Sequence, residues 1–219
     1  MSNQGPGTSN EKPIATPTRI DTEFTRMIGV DYPIIGAPMF LISYEALAVG
    51  VARGGGLGTI PLPNFRTVGE LKQTLARIRA ETDRPIGVNI HVSGKFPWKE
   101  HLALCLNFGV KFFITSLGDP RLILDDVHAS GGKVFADVIT VEQGLKARDR
   151  GVDGLIAVAD SAGGHAGRDP LMILVPYPQV QGGSAGDRRR RHQYRRSDGG
   201  FHGPRGLCGH YRNTPHCHP

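Results

Sequence analysis

Six short apolar runs recur along the chain at nearly constant intervals, and that regularity restricts the fold more than any other feature. The runs are PIIGAP, GLGTIP, IGVNIHV, VKFFITSL, KVFADVIT and GLIAVAD, starting at residues 33, 56, 86, 110, 133 and 154. Successive starts differ by 23, 30, 24, 23 and 21 residues, about what one strand, one helix and two short loops consume. Each run is compact enough to be a strand covered on both faces. The pattern predicts βα units and a parallel sheet.

The intervening segments carry helix signals. Thr67 with Glu70 makes a capping box ahead of Val68, Leu71, Leu75 and Ile78, whose spacing sets four apolar side chains on one helical face. Thr140 with Gln143 repeats the box, and Gly151 stands where that helix should stop. Trp98, Leu102, Cys105 and Leu106 form another buried stripe, which makes Cys105 a packed apolar residue and not a reactive thiol. Eight such units close a (β/α)8 barrel, whereas a doubly wound open sheet can stop at five or six. The pattern alone leaves both open.

Charge divides the chain. Residues 1–170 hold 18 Lys or Arg and 18 Asp or Glu, and residues 171–219 hold 8 and 2, so the whole formal charge of +6 lies in the last segment. A basic-protein argument toward nucleic acid therefore applies to the tail and not to the patterned part. From Gly182 onward the text is rich in glycine and arginine, including Arg188–Arg191, and poor in apolar residues. Such a segment cannot bury enough surface to offset its conformational entropy. The expectation is a tail that does not continue the fold, from truncation or a shift of reading frame after about residue 170. Residues 1–21, polar at their start and rich in Pro, Gly, Ser and Thr, are expected to be a disordered leader. The absence of a signal-like apolar core, the short apolar runs and three cysteines (Cys105, Cys208, Cys217) point to a cytoplasmic protein outside the membrane.

In a parallel βα protein, chemistry belongs at the C-terminal ends of the strands. Those ends carry Gly36-Ala37-Pro38-Met39 after the first run, Asn89 on the third, Asp137 with Thr140 on the fifth, and Gly163-Gly164-His165 after the sixth. Two adjacent glycines permit close backbone approach to a ligand and positive φ, and a histidine moves protons near neutral pH. An exposed histidine on a plain glycine turn is the competing reading. Asp137 fits an interior residue, a ligand contact or a cap partner equally, and is not assigned a role.

The segments TEFTRMIGVDYPIIGAPM, LAVGVARGGGLGTI, IGVNIHV, VFADVITVEQGLKARDRGVDGLIAVA and SAGGHAG, in this order over residues 22–168, resemble the nitronate monooxygenase (2-nitropropane dioxygenase) family. That resemblance implies a TIM barrel of the (β/α)8 type, with about six units present here and the last two missing or scrambled. It implies FMN as cofactor, contacted by Ala37, Pro38, Met39 and Asn89, with Gly163 and Gly164 alongside. His165 matches the family histidine, acting as catalytic base or orienting a nitronate that O2 and flavin convert to a carbonyl compound and nitrite. The family's phosphate loops follow strands seven and eight, and the glycines at 182, 183, 199 and 200 follow no apolar strand. Residues 22–170 are thus expected to be a partial FMN-binding barrel, followed by a basic tail from 171 to 219.

Other signals are set aside. GGGLG at 54–58 precedes a strand and opens no helix, so it reads as a helix-to-strand turn and not a nucleotide loop. Asp125 and Asp126 are adjacent on a helix and point apart. Cys208, His210, His216, Cys217 and His218 are metal-ligand types at spacings that match no zinc pattern, so no metal is expected. The Arg188–Arg196 cluster lacks interleaved aromatics, so no specific nucleic-acid partner is expected. The competing functions are an FMN-dependent enoyl-ACP reductase, which shares the GGH loop, and an inactive truncated barrel with a nonspecific basic tail.

Overall fold

A computed structural model describes residues 19–92 and 97–175. The leader up to residue 18 and the tail from 176, with its candidate metal ligands and arginine cluster, lie outside the described residues. Within the expected leader, Ile20 is already tied in: its N–H donates to Asp31 O at 2.9 Å and its carbonyl accepts from Thr25 Oγ at 2.8 Å.

Local chemistry starts the helices where the caps stand. Helix α1 (Glu23–Ile28), not anticipated from the sequence, opens on a Thr22–Thr25 capping box and closes on Gly29 at φ 81°. Helix α2 (Glu45–Arg53) leads through the glycine run into β1 (Gly58–Pro61). A short 3-10 turn (Leu62–Asn64) and α3 (Val68–Glu81) follow. Then come β2 (Ile86–His91), α4 (Trp98–Asn107), β3 (Phe112–Leu117), α5 (Arg121–Ala129), β4 (Lys133–Val138), α6 (Val141–Asp149), β5 (Gly154–Ala157) and α7 (Leu171–Leu174). Both expected caps form, Thr67 accepting from Glu70 N–H and Thr140 from Gln143 N–H, each at 3.2 Å. The reciprocal bonds reach one residue further back than a capping box requires, to the N–H of Arg66 and of Ile139, each at 2.9 Å. Val68 is exposed and does not join the buried face of α3; Thr74 does, beside Leu71, Leu75 and Ile78. Val68 sits in the first turn, at the rim of the contact.

The first apolar run is a single parallel bridge and not a strand. Leu57 N–H donates to Ile34 O at 2.8 Å and Gly36 N–H to Leu57 O at 2.9 Å. Prolines at 33 and 38 have no N–H to extend the ladder on either side.

Strand order settles what the sequence left open. β1 to β5 pair side by side in chain order, all parallel. A doubly wound sheet must reverse its order at a switch point; here order never reverses. Right-handed crossovers in one constant direction put every crossover helix on one face. The architecture is therefore α/β of the barrel type, a five-stranded parallel sheet to which the first run is joined only by the Ile35–Leu57 bridge.

Two apolar layers result. On the helical side, Ile60, Val88, Ile90, Phe113 and Val134 pack with Leu71, Leu75, Ile78, Leu102, Cys105, Ile123 and Val127. On the interior side, Leu57, Phe112 and Ile114 pack with Val30 and, half-buried, Phe24, Phe135 and Ile156. Helix α1 serves the inner layer. Phe24 meets Phe112 and Phe135 edge-on at centroid distances of 6.1 and 6.2 Å, and Phe112 and Phe135 are 4.9 Å apart. Along β4 the outward residues are buried and the inward ones half-buried, so the helical layer is the drier of the two. Cys105 lies fully in the helical layer, where burial pushes its thiol up to about 12. No helix among the described residues is long and apolar enough to cross a membrane.

The GGGLG run is a helix-to-strand turn. Gly55 takes φ 91°, and a Cβ on Gly58 would stand 2.0 Å from the Ala48 carbonyl oxygen. Only glycine lets α2 pack so closely on β1.

Candidate functional site

Parallel strands bring every C-terminal end to one edge of the sheet, so the candidate residues emerge together although up to 128 positions separate them, from 37 to 165. The edge differs from the rest of the sheet in being polar on its inward row.

Asn89 on β2 is the buried member of the predicted set, 4% exposed. Its Nδ2 donates to Ile114 O at 3.2 Å and to Ser116 Oγ, and the Ser116 hydroxyl donates to Asp137 Oδ2 at 2.6 Å. Three adjacent strands thus carry one hydrogen-bonded chain, amide to hydroxyl to carboxyl. The pairing of β2 with β3 slips between Ile90 and His91, from Thr115 to Leu117, so Ser116 is the extra residue of a bulge. Bulges re-aim side chains beside functional sites. Ser116 was not legible in the sequence; its only signal is a polar pair, Thr115-Ser116, closing an apolar run. Burial pushes the Asp137 carboxyl above its usual range, against the opposing influence of the Ser116 hydroxyl. His91, half-buried at the end of β2, is held below its ordinary value by burial.

The Ala37–Met39 turn follows the bridge. Ser43, fully buried, staples it: Ser43 Oγ donates to Ala37 O at 2.7 Å and accepts from Met39 N–H at 2.9 Å. Asn64 holds the next stretch, accepting from Leu41 N–H at 2.7 Å, with Leu41 at φ 59°. Backbone groups of Ala37 and Met39 are therefore engaged within the turn. What the turn offers outward is apolar: Met39, Phe40, Leu41 and Ile42 are all exposed, as are Leu117 and Ile139 at the ends of neighbouring strands.

The loop after β5 carries Gly163, Gly164 and His165, all exposed. Gly164 has the left-handed φ of 78°, and neither glycine would bring a Cβ within 4 Å of another atom. The glycine that packing demands is Gly167, where a Cβ would stand 2.3 Å from Val158 O and 3.2 Å from Ile139 O. That contact folds the loop back over the ends of β4 and β5. His165 makes no hydrogen bond or ion pair among the described residues, and nothing there links it to Asn89 or to the Ala37–Met39 turn.

Two clefts lie elsewhere. One of about 380 Å³ opens at the opposite edge among Met27, Ile28, Phe108 and Phe112, and its Lys133 is paired to Asp153 at 2.9 Å. The other, about 550 Å³, lies between α2 and α3. No group of three or more His, Cys, Asp or Glu that could hold a metal occurs among the described residues.

Residues 21–97 match the family model described as nitronate monooxygenase. The chain is 25% identical over 158 residues to the (3aS,4S,5R,7aS)-5-hydroxy-7a-methyl-1-oxo-octahydro-1H-indene-4-carboxyl-CoA dehydrogenase of Mycobacterium tuberculosis, covering 72% of this chain and 44% of that protein. It is 30% identical to a nitronate monooxygenase of Pseudomonas aeruginosa, over 66% of this chain and 52% of that protein. Among solved structures it resembles FabK from Thermotoga maritima, with a TM-score of 0.65, 26% identity and coverage of 71% of this chain and 49% of that one. The chain spans about half the length of the curated relatives it matches.

Proposed function

Because residues 21–97 match the nitronate monooxygenase family model, we propose that the C-terminal edge of the chain's sheet binds FMN and, with O2, oxidises alkyl nitronates to a carbonyl compound and nitrite. The observation that carries the reading is the delivery of Ala37–Met39, Asn89 and Gly163–His165 to one edge of a parallel sheet by three separate segments. On this reading residues 22–170 are the flavin-binding part and 171–219 an appended tail.

The residues at this edge fit a flavin in kind. Asn89 offers an amide already oriented by Ile114 and Ser116. Met39, Leu117 and Ile139 offer exposed apolar surface, and covering it contributes about 25 cal/mol per Å². Over Gly163 and Gly164 there is room for a ring to approach the backbone. FMN, when bound, supplies the electron acceptor and the reaction with oxygen. The chain supplies placement and proton handling. His165 takes the proton from the carbon beside a nitro group, or donates an N–H to the nitronate oxygens. Asn89 and the apolar turn fix the geometry, and the loop folded back by Gly167 sets how far His165 stands from the sheet. No phosphate ligand is assigned among the described residues.

A second reading, an FMN-dependent reductase acting on enoyl thioesters, is favoured by the likeness to a carboxyl-CoA dehydrogenase. Purified full-length chain mixed with FMN decides between them. The expected result is a protein-bound flavin spectrum and nitrite release from propyl-1-nitronate that falls about 100-fold in His165→Ala. Nitrite release no faster than with free FMN sinks the first reading, and NAD(P)H consumption with an enoyl thioester would establish the second.

A further inference from the structure

Asp137 has no place in the mechanism above, yet it is the acidic side chain on the inward row. It points between Phe135 and the polar edge, two residues beyond a side chain that packs against Phe112 inside the sheet. Its sole hydrogen bond among the described residues comes from Ser116, which is itself held by Asn89. Among the described residues no cation is paired with it. On the elements packed around it and the loops that follow them, the titratable and charged groups are His91 at the end of β2, Asp119 paired with Arg121 after β3, Lys133 at the far end of β4 and bonded to Asp153, none on β5, and Asp160, His165, Arg168 and Asp169 on the following loop. Helices α5 and α6 cover the other face of β4. Burial holds His91 below its ordinary value.

A carboxyl in that setting controls the charge of the whole row. With its proton on, Asn89, Ser116 and Asp137 form a neutral surface with a spare O–H donor. Ionised, the same row is an acceptor that repels anions. We propose that Asp137 is the charge-selecting residue of this edge: protonated, it admits the planar anionic head of a nitronate, and ionised, it excludes the anion and favours neutral, hydrogen-bond-donating ligands. This rests on the reading of the edge as a nitronate site and adds which charge state of ligand it accepts. Burial raises the Asp137 carboxyl above its usual range, and the Ser116 hydroxyl opposes that shift.

The probe is sodium nitrate, a planar anion with the shape of a nitronate head, against sodium chloride at equal ionic strength. Thermal unfolding of the full chain, without flavin, is followed from pH 5 to 8. In the unaltered protein, nitrate stabilises at low pH, and its affinity falls by about tenfold as Asp137 ionises, the size expected for like charges roughly 6 Å apart at a partly screened site. Asp137→Asn keeps the stabilisation at every pH. Ser116→Ala, which removes the bond favouring the ionised form, moves the loss upward by about one pH unit; a merely structural serine would lower stability without moving that pH. Equal pH dependence in the unaltered and Asp137→Asn chains overturns the proposal, as does the absence of any nitrate effect at pH 5. Absence of nitrite release from a nitronate in the presence of FMN would defeat the functional reading alone, because the nitrate comparison needs no turnover.

Discussion

Replacing Phe112 with alanine tests whether the sheet has a packed interior distinct from its helical layer. Phe112 is 1% exposed and touches two aromatic rings, Phe24 at 6.1 Å and Phe135 at 4.9 Å. Truncation removes about 120 Å² of buried apolar area, worth about 3 kcal/mol at 25 cal/mol per Å². The cavity left behind raises the cost to about 3–5 kcal/mol. Against a total stability of about 5–15 kcal/mol, that is at least about a fifth of the whole. The assay is urea denaturation of the full chain, with Trp98 fluorescence as the readout, since it is the one tryptophan and packs against the helical layer. A double-mutant cycle sharpens the test. Phe24→Ala should couple to Phe112→Ala by about 0.5–1.5 kcal/mol, the value of an aromatic pair. It should not couple to Phe113→Ala, because Phe113 belongs to the helical layer. A Phe112→Ala cost below about 1 kcal/mol, or equal coupling to Phe113, would refute the two-layer account.

Three further outcomes follow from the same contacts. Gly58→Ala sets a methyl 2.0 Å from Ala48 O, and parting α2 from β1 should cost about 3 kcal/mol or more, read as a lower urea midpoint; a neutral result would deny the close helix–strand contact. Thr67→Ala and Thr140→Ala should each cost about 1 kcal/mol, and the two should add in the double variant because they cap separate helices. Burial raises Asp153, but the Val134 N–H with Lys133 and His128 outweighs it and holds the carboxyl below its ordinary value. A depressed folded value means the stabilisation is complete above the unfolded carboxylate's titration and is lost as pH falls through the folded one. Asp153→Asn should therefore lower stability at pH 7 and flatten its decline on acidification, measured as thermal midpoint against pH; an unchanged acid slope would contradict the network.

What the sequence determined by itself was local or periodic. Strand spacing is periodic, and the Thr67 and Thr140 caps, the buried Cys105 and the helix-to-strand turn at 54–58 each depend on residues within one or two turns of each other, where backbone sterics and hydrogen-bond chemistry act at short range. The segments carrying His165, Asn89 and the Ala37–Met39 turn were also legible, because strand ends can be counted. Strand order was decided only by the tertiary structure. Runs buried on both faces show no alternation, so the text could not say which neighbour each would pair with or which row would turn inward. The first run shows the limit from the other side: its apolar residues promised a strand, and two prolines left it a single bridge. Ser116 and Asp137 became partners because a bulge 21 positions earlier than Asp137 turned a serine toward the next strand. Side chains that distant meet by pairing across a sheet, and pairing is settled by the whole core together.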